Sequence, residues 1–153
     1  MSTVFDRLVE EFPAWWIDFL GEHNHVGGIE ATRWLASRAN LQPGDAVLDC
    51  GAFVGGAARY LATNHAVHAV ANDLNPEFLD AGRQMPGGDQ VEWLLASTHR
   101  LPFNTGAFAS VWSLDSYIAP REMSRVAARD ATICLCSEVP TDNRGGLESV
   151  IQE

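Results

Sequence analysis

The chain has 153 residues and a formal net charge of −10, from 20 acidic and 10 basic residues. Phosphate-backbone binding needs concentrated positive charge, so this balance argues against a nucleic-acid partner. No apolar run approaches the ~20 residues that cross a bilayer, and the N-terminus lacks the basic start and apolar core of a signal peptide. We therefore expect a cytoplasmic protein that has no membrane partner and folds as a single domain over residues 1–153.

The first part of the chain is predicted to be a helical cap, residues 1–40. Apolar residues recur at helical spacing over residues 4–20, with a break expected at Pro13. A loop with His23 and His25 follows, and a second helix is expected over residues 29–40. The two histidines lack the companion ligands of a known metal box, so no metal site is predicted. A positioning or general-base role for His25 and an ordinary surface histidine are both left open.

Residues 41–140 read as alternating strands and helices, and residues 141–153 as a final helix. Strands are expected at 46–50, 65–71, 91–95, 108–114 and 131–139. Helices are expected at 57–64, 75–84 and 120–129, the second of them capped by Asn75. This alternation predicts the α/β class, with a parallel sheet and helices on both of its faces.

The stretch from Ala46 to Ala57 organises the rest. An apolar strand ends in Asp49, a glycine-bearing turn follows, and a helix begins beyond it. Glycines let backbone approach a ligand closely, and a helix N-terminus favours an anionic guest. An ordinary β–α turn remains the alternative, because a glycine-rich loop alone is a weak signal. The spacing from Asp49 to Asp73 is similar to that of the carboxylate that holds ribose hydroxyls in nucleotide-binding domains.

Several segments occur in a characteristic order over residues 20–140. They are Val47-Leu48-Asp49-x-Gly51-x-x-x-Gly55-Gly56, Asn72-Asp73-Leu74-Asn75-Pro76, Leu101-Pro102-Phe103, His25-Val26-Gly27-Gly28 and Ser113-Leu114-Asp115. Taken together, these segments resemble those of class I S-adenosylmethionine-dependent methyltransferases of the small-molecule branch. The resemblance implies a Rossmann-like three-layer αβα sandwich, mostly parallel, with S-adenosylmethionine as cofactor and a small molecule as substrate.

The resemblance also implies a set of site residues. The cofactor would lie against Asp49, Gly51, Ala52, Phe53, Gly55, Asp73, Leu74, Ser97 and Thr98. The acceptor would be oriented by His25, Asp115 and Tyr117, which are the expected catalytic residues.

Three departures from the family pattern qualify these expectations. Phe53 stands where the family's loop has its middle glycine. Ser97 stands where a carboxylate usually takes the adenine amine. Only five of the usual seven strands are found, so the strand at 131–139 would form an apolar edge, which is an association hazard. We expect a homodimer or heterodimer through that edge, or cover from the final helix.

Two functions therefore stand against each other. The first is methyl transfer from S-adenosylmethionine to a small molecule. The alternative is a catalytically degenerate subunit that pairs with and stabilises an active partner. A methyltransferase fold reused for other chemistry, such as a cyclisation, is a third option.

Overall fold

The computed structural model describes residues 14–137. The strands are Ala46–Cys50 (β1), His68–Asp73 (β2), Val91–Leu95 (β3), Phe108–Leu114 (β4) and Ala127–Cys136 (β5). The helices are Ala14–Leu20 (α1), Gly28–Ala36 (α2), Gly56–His65 (α3), Pro76–Gln84 (α4) and Pro120–Val126 (α5), with a short 3-10 turn at Gly88–Gln90. The predicted α/β class is confirmed.

All strand pairs are parallel, and the strand order is β3-β2-β1-β4-β5. The order reverses direction at β1, whose neighbours are β2 on one side and β4 on the other. Ligands of open α/β sheets bind at the carboxyl ends of the strands beside such a reversal. The strand order alone therefore places a candidate site beyond Cys50 and Leu114, the last residues of β1 and β4.

Successive side chains of each strand point to opposite faces, and each face has its own apolar cluster. On one face, Val47, Ala69 and Trp112 pack with helix residues of α3 such as Leu61. On the other face, Leu48 and Val111 pack with α5 through residues that include Met123. Helices thus cover both faces, as the alternation of elements predicted.

Several predicted boundaries were wrong. The helix expected to run to residue 129 ends at Val126, because Ala127 pairs with Phe108 and continues as β5. The strand expected from residue 65 begins at His68, since α3 extends to His65 and Ala66 ends it with a left-handed φ of 52°. The helix expected at 29–40 spans Gly28–Ala36.

Other predicted features are confirmed. β3 and β4 have the expected bounds, and Asn75 caps α4 by accepting from the Glu77 N–H at 2.9 Å. Strand β5 is the edge of the described sheet, and its Ile133 and Leu135 side chains are exposed. A partner at this edge stays a prediction, as does the division into a cap and a core. Residues 4–13 of the first helix and the helix expected at 141–153 lie outside the described residues.

Candidate functional site

The turn after β1 contains two glycines at positions where neighbouring side chains leave no room for a Cβ atom. Gly51 has a φ of 64°, and a Cβ there would lie 2.6 Å from the Cβ of Ser116. The Ser116 hydroxyl donates to the Cys50 carbonyl at 2.6 Å, which ties the end of β4 to the end of β1. Gly55 has a φ of 67° and begins α3 directly against the Trp93 ring. The loop therefore presents bare backbone at the reversal of the strand order.

Phe53 occupies this loop in a left-handed conformation, with a φ of 56°. Only glycine adopts such backbone without a penalty. The ring packs edge-on against Phe78, with centroids 4.5 Å apart. Phe53 thus turns part of its surface to α4 while still lining the space above the loop.

Asp73, at the end of β2, reaches across to the same loop. One carboxylate oxygen accepts from the Phe53 N–H at 2.9 Å, and the other accepts from the Asn75 N–H at 2.9 Å. A carboxylate has about four acceptor positions, so both oxygens can still accept from ribose hydroxyls. The structure therefore brings Asp73 and Phe53 together, two of the residues predicted to bind the cofactor.

Asp49 is buried beneath the loop. Burial raises the pKa of its carboxyl, a hydrogen bond from the Ala58 N–H lowers it and the nearby Asp73 raises it, so that the pKa lies at about 7. The side chain therefore faces the first turn of α3, where unpaired N–H groups favour a negative charge. Asp49 thus holds the first turn of α3 in place beneath the glycine loop.

The segment from Glu22 to Val26 closes the site from above. Glu22 pairs with Arg59 at 2.6 Å, and Arg59 also donates to the carbonyls of Val54 (3.3 Å) and Pro86 (2.9 Å). A Cβ on Gly56 would overlap the Glu22 carbonyl, so the segment rests on the start of α3. The cavity between this segment and the loop measures about 20 Å³, little more than the room for one water.

The other end of this segment is fastened to the ends of β4 and β5. The Asp115 carboxylate accepts from the Val26 N–H, and the Asp115 N–H donates to the Cys136 carbonyl at 2.6 Å. Asp115 itself has a left-handed φ of 49°. His25 Nε2 lies 2.9 Å from Thr32 Oγ1, and its Nδ1 lies 3.2 Å from the Val26 carbonyl oxygen. Both ring nitrogens of His25 are thus engaged.

A larger cleft of about 600 Å³ opens beside this segment. Its walls include His23, His25, Asp115 and Ser116. Two of the three predicted catalytic residues, His25 and Asp115, are therefore brought together. Tyr117 does not line this cleft: its ring packs on His99, with centroids 4.6 Å apart, and borders a separate cavity with Pro120 and Arg121.

The residues predicted to hold the adenine lie beyond β2 and β3. Leu74 is exposed, and Thr98 is buried. Ser97 accepts from the His99 N–H at 3.3 Å, which bends the chain after β3. Asn72 lies beneath this bend, where its Oδ1 is buried without a hydrogen-bond partner among residues 14–137.

Four functional candidates were not among the predicted site residues: Glu22, Arg59, His23 and Asn72. His23 Nδ1 is buried without a partner in the described part of the chain, close to Gly56. Burial is the main cause that lowers the pKa of His23, with a further contribution from His25. Only Arg59 could have been recognised from the sequence as a candidate, because it is a charged residue on the apolar helix that follows the glycine loop.

The residues present fit an adenosyl cofactor by their chemistry. Asp73 offers acceptors for hydroxyl groups, and the glycine loop allows close approach of its backbone. Two buried polar atoms, on His23 and Asn72, have no hydrogen-bond partner among residues 14–137. The cavity of about 20 Å³ is far smaller than such a molecule. A cofactor lying over the loop would therefore displace one of the groups that line this cavity, among them the Phe53 ring and the segment from Glu22 to Val26.

No helix among residues 14–137 is long and apolar enough to cross a membrane. Within that same part of the chain, no group of three or more His, Cys, Asp or Glu side chains is placed to hold a metal ion.

Known proteins resemble this chain in sequence, and solved structures resemble it in fold. A family model described as a methyltransferase domain matches residues 47–134. Glycine/sarcosine/dimethylglycine N-methyltransferase of Actinopolyspora halophila is 33% identical over 96 residues, covering 60% of this chain and 17% of that protein. Demethylmenaquinone methyltransferase of Clavibacter sepedonicus is 32% identical over 159 aligned positions, covering 95% of this chain and 62% of that protein.

Among solved structures, geranyl diphosphate C-methyltransferase of Streptomyces coelicolor matches with a TM-score of 0.63 at 19% identity. The match covers 69% of this chain and 43% of that one, which was solved with Mg²⁺, geranyl diphosphate and S-adenosyl-L-homocysteine. The chain spans less than two thirds of the length of each of these three proteins.

Proposed function

Because the chain belongs to the methyltransferase domain family, whose cofactor is S-adenosylmethionine, we propose that it transfers a methyl group to a small molecule. One observation carries the proposal. Asp73 bonds to the backbone of the glycine loop after β1, at the point where the strand order reverses. This joins the acidic and glycine-bearing parts of an adenosyl site into one unit.

The cofactor, when bound, supplies a methyl group on a positively charged sulfonium, so the protein's task is mainly alignment. Asp73 would accept hydrogen bonds from the ribose hydroxyls. Gly51 and Gly55 would allow close approach of the backbone, and Asp49 would hold the start of α3 in place from below. None of these residues needs to change its protonation state for the transfer.

The acceptor would occupy the cleft of about 600 Å³ beside the segment from Glu22 to Val26. That size is ordinary for a small-molecule pocket. Asp115 is the charged group in its wall and would orient a polar or cationic acceptor. Both nitrogens of His25 are engaged, so we assign His25 to holding the segment and not to moving a proton. Relatives named for small acceptors, such as glycine and sarcosine, support this choice of substrate class.

Isothermal titration with S-adenosyl-L-homocysteine tests the proposal. We expect binding in the micromolar range, lost in Asp73→Ala and retained in Asp80→Ala. Asp80 is a matched control because its carboxylate is exposed on α4 and bonds only to Arg83 among the described contacts. Transfer of a labelled methyl group to a panel of small amines and hydroxyl compounds then identifies the acceptor.

The small cavity above the loop favours one second candidate, a subunit without activity of its own that stabilises a catalytic partner. The same titration decides between the two. A folded protein that takes up no cofactor at millimolar concentration would refute methyl transfer by this chain and support the second candidate.

A further inference from the structure

His23 lies in the segment from Glu22 to Val26, and its half-buried ring lines the cleft of about 600 Å³. Its Nδ1 is buried over Gly56 and has no hydrogen-bond partner among residues 14–137. Because Nδ1 is buried, the rest of the ring, which includes Nε2, is the part that lines the cleft. Nε2 likewise makes no hydrogen bond within the described residues.

The other histidine in the wall of the cleft is placed differently. The rings of His23 and His25 are nearly perpendicular, with centroids 6.1 Å apart. His25 Nε2 lies 2.9 Å from Thr32 Oγ1, and its Nδ1 lies 3.2 Å from the Val26 carbonyl oxygen. Within residues 14–137, it is therefore His23 and not His25 that has a ring nitrogen free to exchange a proton with a molecule in the cleft.

The surroundings of His23 keep its ring uncharged at neutral pH. Burial is the largest cause that lowers its pKa below the ordinary 6.5. The titratable groups around the ring are His25, Arg59 and Arg33, which lower the pKa further, Glu22, which raises it, and Asp115, which lines the same cleft. The Glu22 carbonyl oxygen lies over Gly56 on the same side as Nδ1. An acceptor there favours the ring proton on Nδ1, which leaves the lone pair on Nε2.

We propose that His23 is the catalytic base of the transfer, and that its Nε2 takes a proton from the ammonium group of an acceptor amine beside Asp115. This inference rests on the proposed function. An ammonium nitrogen has no lone pair and attacks nothing until it loses a proton. A neutral imidazole in the wall of the cleft is suited to remove that proton, and the carboxylate of Asp115 attracts the cation.

The step balances in atoms and charge. One proton passes from the ammonium nitrogen to Nε2, and the lone pair left on nitrogen forms a bond to the methyl carbon. The bond between that carbon and sulfur breaks with its electron pair staying on sulfur, which gives the neutral thioether. The product is the methylated ammonium ion, and the His23 imidazolium then releases its proton to water in the cleft.

The pH dependence of kcat/KM with glycine, sarcosine and ethanolamine as acceptors tests this role. We expect His23→Gln to lower kcat/KM about a hundredfold near pH 7. The loss should shrink to about fivefold or less near pH 10, where much of the amine arrives without its proton. Binding of S-adenosyl-L-homocysteine should stay within about twofold. His68→Gln, the same change at an exposed histidine at the amino end of β2, should leave the profile unchanged.

A purely structural role predicts something else, namely a loss in His23→Gln that is equal at every pH, and that result would overturn the proposal. Chemical rescue gives a second readout. Added imidazole should restore transfer in His23→Ala, and a folded variant that imidazole does not rescue would count against the base.

The unaltered protein decides the case in which neither variant folds. Its kcat/KM should fall as the pH falls through the pKa of His23 measured by NMR, because a protonated ring accepts no proton. An acid limb that is absent, or that lies more than about one pH unit from that pKa, would refute the role. Transfer to hydroxyl compounds but to none of the three amines would also refute it, while leaving the proposed function intact. A protein that binds no S-adenosyl-L-homocysteine would overturn the proposed function itself.

Discussion

Replacing Glu22 by glutamine should loosen the segment that closes the site. The Glu22 carboxylate bonds to Arg59 at 2.6 Å and is about half exposed (48%), whereas the Arg59 side chain is 6% exposed. Arg59 keeps its bonds to the Val54 and Pro86 carbonyls in the variant. The substitution thus removes the negative charge and leaves the rest of the contact in place.

The expected loss of stability lies between two limits. An exposed ion pair contributes about 0–1 kcal/mol, and breaking a fully buried pair costs about 3–5 kcal/mol. Because one partner is buried and the other half exposed, we expect Glu22→Gln to lower the free energy of unfolding by about 1–2 kcal/mol. Exchanging a charged hydrogen bond for a neutral one gives a similar figure, about 1 kcal/mol.

Urea denaturation measures this difference directly, and Glu30→Gln is the matched control. Glu30 bonds to Arg33 at the same distance, 2.6 Å, but the two side chains are 74% and 54% exposed. The control should change stability by about 0.5 kcal/mol or less. Since Glu22 is half exposed, about 1 M salt should narrow its difference from the unaltered protein.

The same variant tests whether the segment controls entry. If the cofactor enters only when the segment opens, a loss of about 1.4 kcal/mol at the fastening raises the open population about tenfold. Stopped-flow binding of S-adenosyl-L-homocysteine should then be faster by a similar factor in Glu22→Gln and unchanged in Glu30→Gln. Equal association rates in all three proteins, together with the expected loss of stability, would refute control of entry by this contact.

Three other changes follow from the described geometry. Burial raises the Asp49 pKa to about 7 from its ordinary 3.8, so between those values the folded protein holds a proton that the unfolded chain releases. Its contribution to stability therefore falls as the pH rises through that window, and in urea titrations the stability of Asp49→Asn relative to the unaltered protein should rise from about pH 4 to about pH 7 and stay level above it; a difference that does not change with pH would contradict the raised pKa. Phe53→Gly removes a left-handed φ that costs about 1–2 kcal/mol and a ring pair worth about 0.5–1.5 kcal/mol. Its unfolding free energy should stay within about 1 kcal/mol of the original, while calorimetry shows tighter cofactor binding; unchanged or weaker binding would contradict the view that the ring narrows the site. Gly82→Ala places a Cβ against the Trp93 ring and 2.7 Å from the Val54 carbonyl, and should destabilise the fold by about 1–3 kcal/mol in urea; a neutral result would show that Trp93 can move aside.

The part of the site that the sequence predicted best is local in the chain. The turn between β1 and α3 follows from an apolar run, an acidic residue and glycines within a dozen positions. Asp73 could be placed because parallel neighbours end at the same edge of a sheet. Its bond to the Phe53 N–H joins residues 20 positions apart, yet both ends were already among the predicted site residues.

The start of β5 could not be predicted in the same way. Residues 127–130 are Ala-Ala-Arg-Asp, which have no strand pattern and are compatible with a longer helix. Ala127 pairs with Phe108, and an irregularity in register precedes the next pair, Ser110 with Thr132, so these residues are included in β5. Tertiary contacts overrode local propensity here, and the sequence of these residues does not reveal such contacts.

The full set of side chains that line the cleft of about 600 Å³ also could not be predicted from the sequence. Asp115 and Tyr117 follow β4 within three positions, and the family resemblance implied that both orient the acceptor. The left-handed backbone of Asp115 turns the chain, so that Ser116 bonds to Cys50 while Tyr117 packs on His99. The identity of a non-glycine residue does not reveal that its φ is positive. Here that backbone conformation determines which of the following side chains lines the cleft.

Asp73 also accounts for the presence of Phe53 in a loop where glycine is expected. A left-handed φ costs a non-glycine residue about 1–2 kcal/mol. The Phe53 N–H donates to a carboxylate at 2.9 Å, and hydrogen bonds to charged groups contribute about 1.5–3 kcal/mol. The bond therefore offsets the strained backbone, and the loop keeps its shape with a phenylalanine in it. Because the carboxylate retains free acceptor positions, the interaction that shapes the loop need not be broken when ribose hydroxyls bind. A loop already fixed by Asp73 loses less conformational freedom on binding, which favours affinity.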